Sequence, residues 1–264
     1  MTHTDPWFEG SGLTPQQWDQ LKLHQQKCLE ALRCLEQLRT DTGMEYCLLA
    51  GSVLGPVRHG GFIPWDDDVD VGIPANKIAA FEQALLPRLP EGFTLVQAKA
   101  DYPYPRMFSK ICWEGRCCID LWPLVPTWKD GLRAKFIWYF GKLITKVHYL
   151  KIGRDPKRLK RIAQVMGLFM TDRMAMALAR WNERQAARKD FDAYVNLYSI
   201  YRRDKETIPR QWIEEPATAD FDGISVPVVG NTHAYLTHMY GDYMTPTPPG
   251  SRASRHVELF GNYD

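Results

Sequence analysis

Four carboxylates within five residues, Asp66-Asp67-Asp68-Val69-Asp70, are the part of this sequence best equipped for chemistry. Crowded together they repel one another, and folding carries that cost unless positive charge is near. Val69, Val71 and Ile73 alternate with Asp68, Asp70 and Gly72, which is the period of a strand. A strand from Asp66 to Ile73 would set Asp66, Asp68 and Asp70 on one side and turn Asp67 away. Three oxygen donors on one face suit a hard, octahedral cation such as Mg²⁺. An exposed acidic turn has the same composition, but this string lies between apolar pieces, Phe62-Ile63-Pro64-Trp65 and Val69 to Ile73. An EF-hand loop counted from Asp66 would need Gly and Glu where the chain has Val71 and Lys77, so that spacing fails. A further acid, Asp120, stands in the apolar run Cys117-Cys118-Ile119-Asp120-Leu121-Trp122. A carboxylate there is costly unless it is metal-bound or paired with a Lys or Arg.

Several elements must position these acids. Thr14-Pro15-Gln16-Gln17 has the form of a capping box with Pro in the first turn, and apolar residues then recur at helical spacing from Trp18 to Leu38. This predicts a helix over 14–42 that stops at Gly43. Tyr46 to Ala50 reads as a buried strand entering a tight turn at Gly51-Ser52. Pro74 opens a helix to about Leu86, and Thr94 to Ala98 reads as a strand. Met107–Trp113 and Arg116–Leu121 read as a hairpin around Glu114-Gly115, ended by Pro123 and Pro126. Lys129 to Lys189 is basic and helical. A second hairpin is expected at Asp222-Gly223, then a short helix from Thr232 to Tyr240. The expected class is α+β: a mixed sheet with packed helices and a helical insertion. We divide one unit over 1–264 into an N-terminal helix (14–42), a core (43–126), a basic helical insertion (127–205) and a C-terminal segment (206–264).

The residues around the acids resemble the LicD family of LicD/fukutin-like phosphotransferases, within the nucleotidyltransferase superfamily. The resemblance is carried by Leu49-Ala50-Gly51-Ser52-Val53-Leu54-Gly55 and by Arg58-His59-Gly60-Gly61-Phe62-Ile63-Pro64-Trp65 running into the acid string. It continues in Ser109-Lys110-Ile111, Ile119-Asp120-Leu121-Trp122-Pro123-Leu124, Val226-Pro227-Val228, Tyr235-Leu236, Tyr240-Gly241-Asp242-Tyr243-Met244 and Arg255-His256. It spans about 44–256 and is weakest over 127–205. Ser52 stands where the family usually has Thr, Pro56 replaces a small residue, and Val125 replaces a frequent acid. The resemblance implies a nucleotidyltransferase-like fold and transfer of a phospho-substituent, phosphocholine or phospho-alditol, from a CDP-linked donor to a glycan or lipid-linked glycan acceptor. It implies Mg²⁺, with Mn²⁺ as a substitute, held by Asp66, Asp68, Asp70 and Asp120, and catalysis by Asp68, Asp70 and Asp120. Gly51, Ser52, Arg58 and Lys110 would meet the donor phosphates, with Asp242 and His256 completing the substrate site. Choline would need an aromatic cage, for which Trp65, Trp113, Trp122, Tyr102 and Tyr104 are at hand. A nucleotidyltransferase that transfers a nucleoside monophosphate would use the same carboxylates. A non-catalytic scaffold would be expected to have lost them.

The net charge of +2 over 264 residues gives no case for nucleic acid as a partner. No signal-peptide pattern and no long apolar run are present, which points to a cytoplasmic protein with reduced cysteines. Cys112, Cys117 and Cys118 lack paired zinc spacing. Charge is uneven: Lys129 to Arg161 has eleven Lys and Arg against Asp130 and Asp155, a local net of +9. Leu132, Phe136, Tyr139, Phe140, Leu143, Val147 and Leu150 make one helical stripe there, flanked by Arg133, Lys135, Lys142, Lys146 and Lys151. Peripheral membrane contact through 132–151 and an ordinary core-facing helix both fit that pattern.

Overall fold

The structure, a computed structural model, describes residues 6–9, 11–98, 107–151, 170–186 and 190–248. One mixed sheet of nine strands organises them, with eight helices packed around it. The strands are β1 (Cys47–Leu48), β2 (Val69–Pro74), β3 (Phe93–Val96), β4 (Ser109–Trp113), β5 (Arg116–Thr127), β6 (Ala193–Asn196), β7 (Thr207–Pro209), β8 (Ala217–Phe221) and β9 (Ile224–Val228). Their order is β3-β4-β5-β2-β1-β9-β8, with β6 on the far end of β5 and β7 on β6. β2 runs parallel to β5 and β1 parallel to β9; the other pairs are antiparallel. The α+β class expected from the sequence is what the chain adopts.

Helix α1 (Pro15–Thr42) forms as its caps dictate. The Thr14 Oγ1 accepts from the Gln17 N–H, the Thr14 N–H donates back to Gln17 Oε1, and Gly43 ends the helix in the left-handed region. Its buried face runs from Trp18 and Leu21 to Cys28, Leu32, Leu35 and Leu38, of which the last four join the main core over the sheet. Each such side chain contributes about 1.5–3 kcal/mol of burial. Both hairpins turn as the sequence predicts: Glu114-Gly115 and Asp222-Gly223 each place two consecutive residues at positive φ.

Four local expectations are corrected. β1 has two residues only, and the segment after it is not a simple turn but helix α2 (Gly51–His59), with Pro56 inside it. β2 begins at Val69; a turn at Pro64-Trp65, closed by the Asp66 N–H on the Ile63 carbonyl, and the irregular stretch to Asp68 lead into it. β5 runs through Pro123 and Pro126 to Thr127. Each proline falls where one edge of β5 lacks a partner: Pro123 between the last pair with β4 at Leu121 and the first with β6 at Leu124, Pro126 past the last pair with β2 at Leu124. Finally, the segment expected to be a helical insertion also supplies β6.

The other helices are α3 (Ile78–Leu85), α4 (Leu132–Lys151), α5 (Asp172–Ala186), α6 (Arg203–Glu206), α7 (Arg210–Glu214) and α8 (Thr232–Tyr240). α4 and α5 pair with each other and close a second core over β5 and β6 that includes Val125, Ile137, Trp138, Ile144 and Val195. α4 buries Ala134, Ile137, Trp138, Gly141, Ile144 and Thr145. Of the stripe read from the sequence, Leu132, Phe136 and Tyr139 are exposed on the opposite side, Phe140 and Leu143 are partly buried against the second core, and Val147 is buried. No described helix is long and apolar enough to cross a membrane.

Candidate active site

The parallel pairing of β2 with β5 sets Asp70 level with Asp120, and the antiparallel pairing of β4 sets Lys110 level with Asp120. Three charged side chains thus meet across three strands. Carboxylate oxygens of Asp68, Asp70 and Asp120 lie within 4.8 Å of one another, and so do those of Asp66, Asp67 and Asp68. Asp68 belongs to both groups. Asp67 does not turn away as expected, because the stretch before Val69 is irregular and lacks strand alternation.

Asp70 and Asp120 are each aimed by a neighbour. The Trp122 Nε1–H donates to Asp70 Oδ1 at 2.7 Å, and the Asp70 N–H donates to Ser52 Oγ at 2.7 Å. The Lys110 Nζ donates to Asp120 Oδ1 at 2.5 Å, and the Cys117 thiol lies 2.9 Å from the same oxygen. The acid turn itself hangs from α1. Lys22 Nζ and Gln25 Nε2 both donate to the Pro64 carbonyl, Gln25 Nε2 also donates to the Asp66 carbonyl at 2.7 Å, and the Cys28 thiol to that of Asp67 at 3.7 Å. His24 Nε2 lies 2.8 Å from the Cys117 carbonyl, which ties α1 to β5. The first helix is therefore the scaffold of the acid turn, a role that periodicity alone does not reveal.

α2 opens against the same turn. A Cβ on Gly51 would meet Asp66 Oδ2 at 3.0 Å, so glycine lets the helix start lie close to the carboxylates. The positive end of the helix then faces negative charge, which is favourable. Ala50, just before it, holds φ +47°, a conformation that L-residues seldom adopt. Its N–H donates to the buried Tyr235 hydroxyl at 2.9 Å, which fixes the backbone there.

Burial, then the charges of Asp70, Asp66, Asp120 and Asp67, push the Asp68 carboxyl well above the usual carboxylate range. Burial opposes the charge on Lys110, but the Asp120 carboxylate beside it, together with Cys117 and Asp68, outweighs burial and holds the ammonium above its ordinary value. A cavity of about 680 Å³ lies over the acids. Its wall includes Trp65, Trp122, Tyr198, Tyr235, Tyr240 and Tyr243. Glu206 also lines it: burial pushes this carboxyl up to about 7, against the Ser199 hydroxyl that donates to it and the nearby Lys142.

Gly51, Arg58 and Asp242 lie on the cavity wall as the sequence led us to expect. Arg58 Nη1 donates to the Tyr243 carbonyl at 2.8 Å, and Asp242 is exposed and accepts from the Thr245 hydroxyl at 2.7 Å. Ser52 is buried and serves the Asp70 backbone. Lys110 is engaged by Asp120, so the paired state foreseen for a buried acid is present. His256, Tyr102 and Tyr104 lie outside the described residues. Trp113 is at the β4–β5 turn, within 5.4 Å of Lys27, away from the acids. Tyr198 and Tyr201 come from the segment where the resemblance is weakest and Glu206 from the first position after it, and none of the three carries a motif. Only the fold brings them to the acids.

The chain is similar to known proteins. Residues 43–151 match the family model described as the LicD/FKTN/FKRP nucleotidyltransferase domain. The lipopolysaccharide cholinephosphotransferase LicD of Haemophilus influenzae is 24% identical over 264 aligned residues, covering 90% of this chain and 96% of that protein. The human ribitol 5-phosphate transferase FKRP is 32% identical over 120 residues, which is 42% of this chain and 23% of that protein. The matched domain contains α2, the acid turn, β2, β4 and β5, and hence every carboxylate of the cluster: over residues 43–151 the chain resembles the LicD family.

Proposed function

We propose that this chain transfers a phospho-substituent from a CDP-linked donor to a hydroxyl of a cell-surface glycan or its lipid-linked precursor. It is an enzyme of the LicD type, a phosphotransferase, and the similar proteins carry names of phosphocholine and ribitol phosphate transfer. The observation that supports the reading best is the meeting of Asp68, Asp70 and Asp120 within 4.8 Å under one cavity. An all-oxygen donor set whose charges raise the proton affinity of Asp68 fits a hard divalent cation, Mg²⁺ or Mn²⁺, with Asp66 beside it. Such an ion, when bound, neutralises the donor diphosphate and the departing nucleotide.

The chain's own groups supply the rest. The start of α2 offers backbone N–H groups to phosphate oxygens, and Arg58 on the cavity wall offers a guanidinium. The acceptor oxygen bonds to the distal phosphorus, the bond from that phosphorus to the bridging oxygen breaks, and cytidine monophosphate leaves with the electron pair. The hydroxyl proton passes to a carboxylate. Asp120 is one candidate, although its Oδ1 already accepts from Lys110; Glu206, poised at about 7, is the other. The aromatic faces of Trp65, Trp122, Tyr240 and Tyr243 suit a quaternary ammonium and favour a phosphocholine-type head group over an alditol. A cytoplasmic place of action accords with a nucleotide-linked donor. A nucleotidyltransferase is the second reading, since the same carboxylates serve it; it would release diphosphate instead of cytidine monophosphate.

The test is release of cytidine monophosphate from CDP-choline and from CDP-alditols, with and without Mg²⁺ and a glycan acceptor. Mg²⁺-dependent release from one donor, lost in Asp68→Asn, is expected. Release of diphosphate from a nucleoside triphosphate would establish the second reading. Intact carboxylates with no cation binding and no turnover would leave a scaffold.

A further inference from the structure

A helix packed on a core normally turns polar residues outward, and α4 does not. Opposite its buried face, Leu132 is 86% exposed, Phe136 51% and Tyr139 68%. Helical spacing places these three on one crest. On α5, Trp181 is 45% exposed and continues the patch, with its ring edge-on to Phe140 at 5.8 Å and Phe140 stacked on Phe136 at 5.4 Å. Cations border the patch. Arg133 and Lys135 on α4, and Arg173, Arg180 and Arg184 on α5, are exposed. α4 contains no acid, and the two acids of α5, Asp172 and Glu183, are partly buried. Glu183 accepts from the Tyr198 hydroxyl at 2.5 Å, turned toward the second core.

We infer that this face of α4 and α5 docks on an anionic lipid surface. The apolar and aromatic crest enters the boundary between headgroups and acyl chains, and the surrounding cations meet lipid phosphates. A protein partner of ordinary composition would not demand two helices with no exposed acid among their described residues. Tyr and Trp are also the side chains that settle at a membrane interface.

The docked face leads to the cavity. Lys142 of α4 donates through Nζ to the Ser199 carbonyl, and the next residue, Ile200, is 81% exposed on the cavity wall beside Tyr201. A molecule held through α4 would therefore have its cavity beside the headgroups, where a lipid-linked acceptor lies. That last consequence rests on the proposed function; the docking itself does not.

The experiment is sedimentation of the full chain with vesicles of phosphatidylcholine alone and with vesicles containing one quarter phosphatidylglycerol. Binding to the anionic vesicles, weakened by high salt, is expected. Phe136→Ser with Tyr139→Ser, and separately Leu132→Ser, should weaken it about tenfold, while Lys135→Glu should weaken it on anionic vesicles only. Circular dichroism confirms that the surface variants remain folded. No sedimentation with either vesicle, or binding indifferent to these substitutions, overturns the inference. So does concentration-dependent dimerisation that the same variants abolish without any vesicle binding, which would assign the face to a second copy. Cytidine monophosphate release in solution with a soluble acceptor should be unchanged in all three variants, so failure of docking and failure of the proposed reaction are told apart.

Discussion

Asp68 is held under electrostatic pressure, and relieving it should make the metal-free protein more stable while removing activity. In Asp68→Asn the side chain keeps its shape and loses its charge. Two unit charges at the 4.8 Å limit of the cluster repel by roughly 3.5 kcal/mol at an effective dielectric of about 20. Solvent, and the Lys110 and Trp122 donors that partly neutralise Asp120 and Asp70, reduce this, and a net gain of about 1–3 kcal/mol is expected. For a chain of this size that raises the melting temperature by roughly 3–8 °C in chelator. The pH dependence fixes the sign. A carboxyl raised in the folded state keeps its proton there while the unfolded chain has lost it, so the penalty grows as pH rises from the ordinary carboxylate range to the folded value and is then complete. The difference between wild type and Asp68→Asn should be near zero in acid and largest at neutral to alkaline pH. The assay is thermal unfolding across pH in chelator, repeated with Mg²⁺, where the wild type should regain stability by binding and the variant should gain less. Melting of Asp68→Asn at or below the wild-type temperature at neutral pH in chelator would refute the reasoning, since Asp68 would then be a stabilising hydrogen-bond acceptor and not a strained charge.

Two further outcomes follow from the geometry. Gly55→Ala would bring a Cβ to 2.3 Å from the Gly61 carbonyl oxygen and 3.2 Å from the Ile63 nitrogen, both backbone atoms that cannot rotate aside; overpacking of about 2–3 kcal/mol should appear as a melting temperature roughly 4–10 °C lower, and an unchanged one would mean that α2 shifts freely. For Glu206→Gln, the acid limb of kcat/KM near pH 7 should vanish and the rate should fall by about 10²-fold, whereas a retained limb would exclude Glu206 as the base.

Much of the fold was legible because local chemistry decides it. The Thr14 capping box and Gly43 bound α1, and Glu114-Gly115 and Asp222-Gly223 turn the two hairpins, since these signals need no distant partner. The acid string was legible as a site because its cost has no bland use. What escaped depends on placement. β5 runs through two prolines because neighbouring strands end beside them. The segment from Asp66 to Asp68 continues an alternating pattern yet is pulled out of the strand by Gln25 and Cys28 of a helix some forty residues earlier in the chain. On α4 the period was read correctly, but period does not say which of two apolar faces is covered; Ala134, Gly141 and Thr145 let α5 and β6 approach the smaller-residue side. Glu206, Tyr198 and Tyr201 are ordinary residues in sequence and become notable only once β6 and α6 bring them to the cavity over the acids.

The level pairing of Asp70 with Asp120 has a consequence for assembly. Their strands are parallel, so β4, whose Lys110 lies at the same height, must be placed along with them before the charges face one another. A slip of β5 by a single residue would send Asp120 to the opposite face and put Ile119 or Leu121 in its place. The charged trio therefore acts as a vernier for the sheet: a misaligned molecule leaves Lys110 unpaired and a carboxylate in the apolar core, and is penalised for both. Chemistry and alignment are checked by the same three side chains, so molecules that fold at all fold with the site assembled.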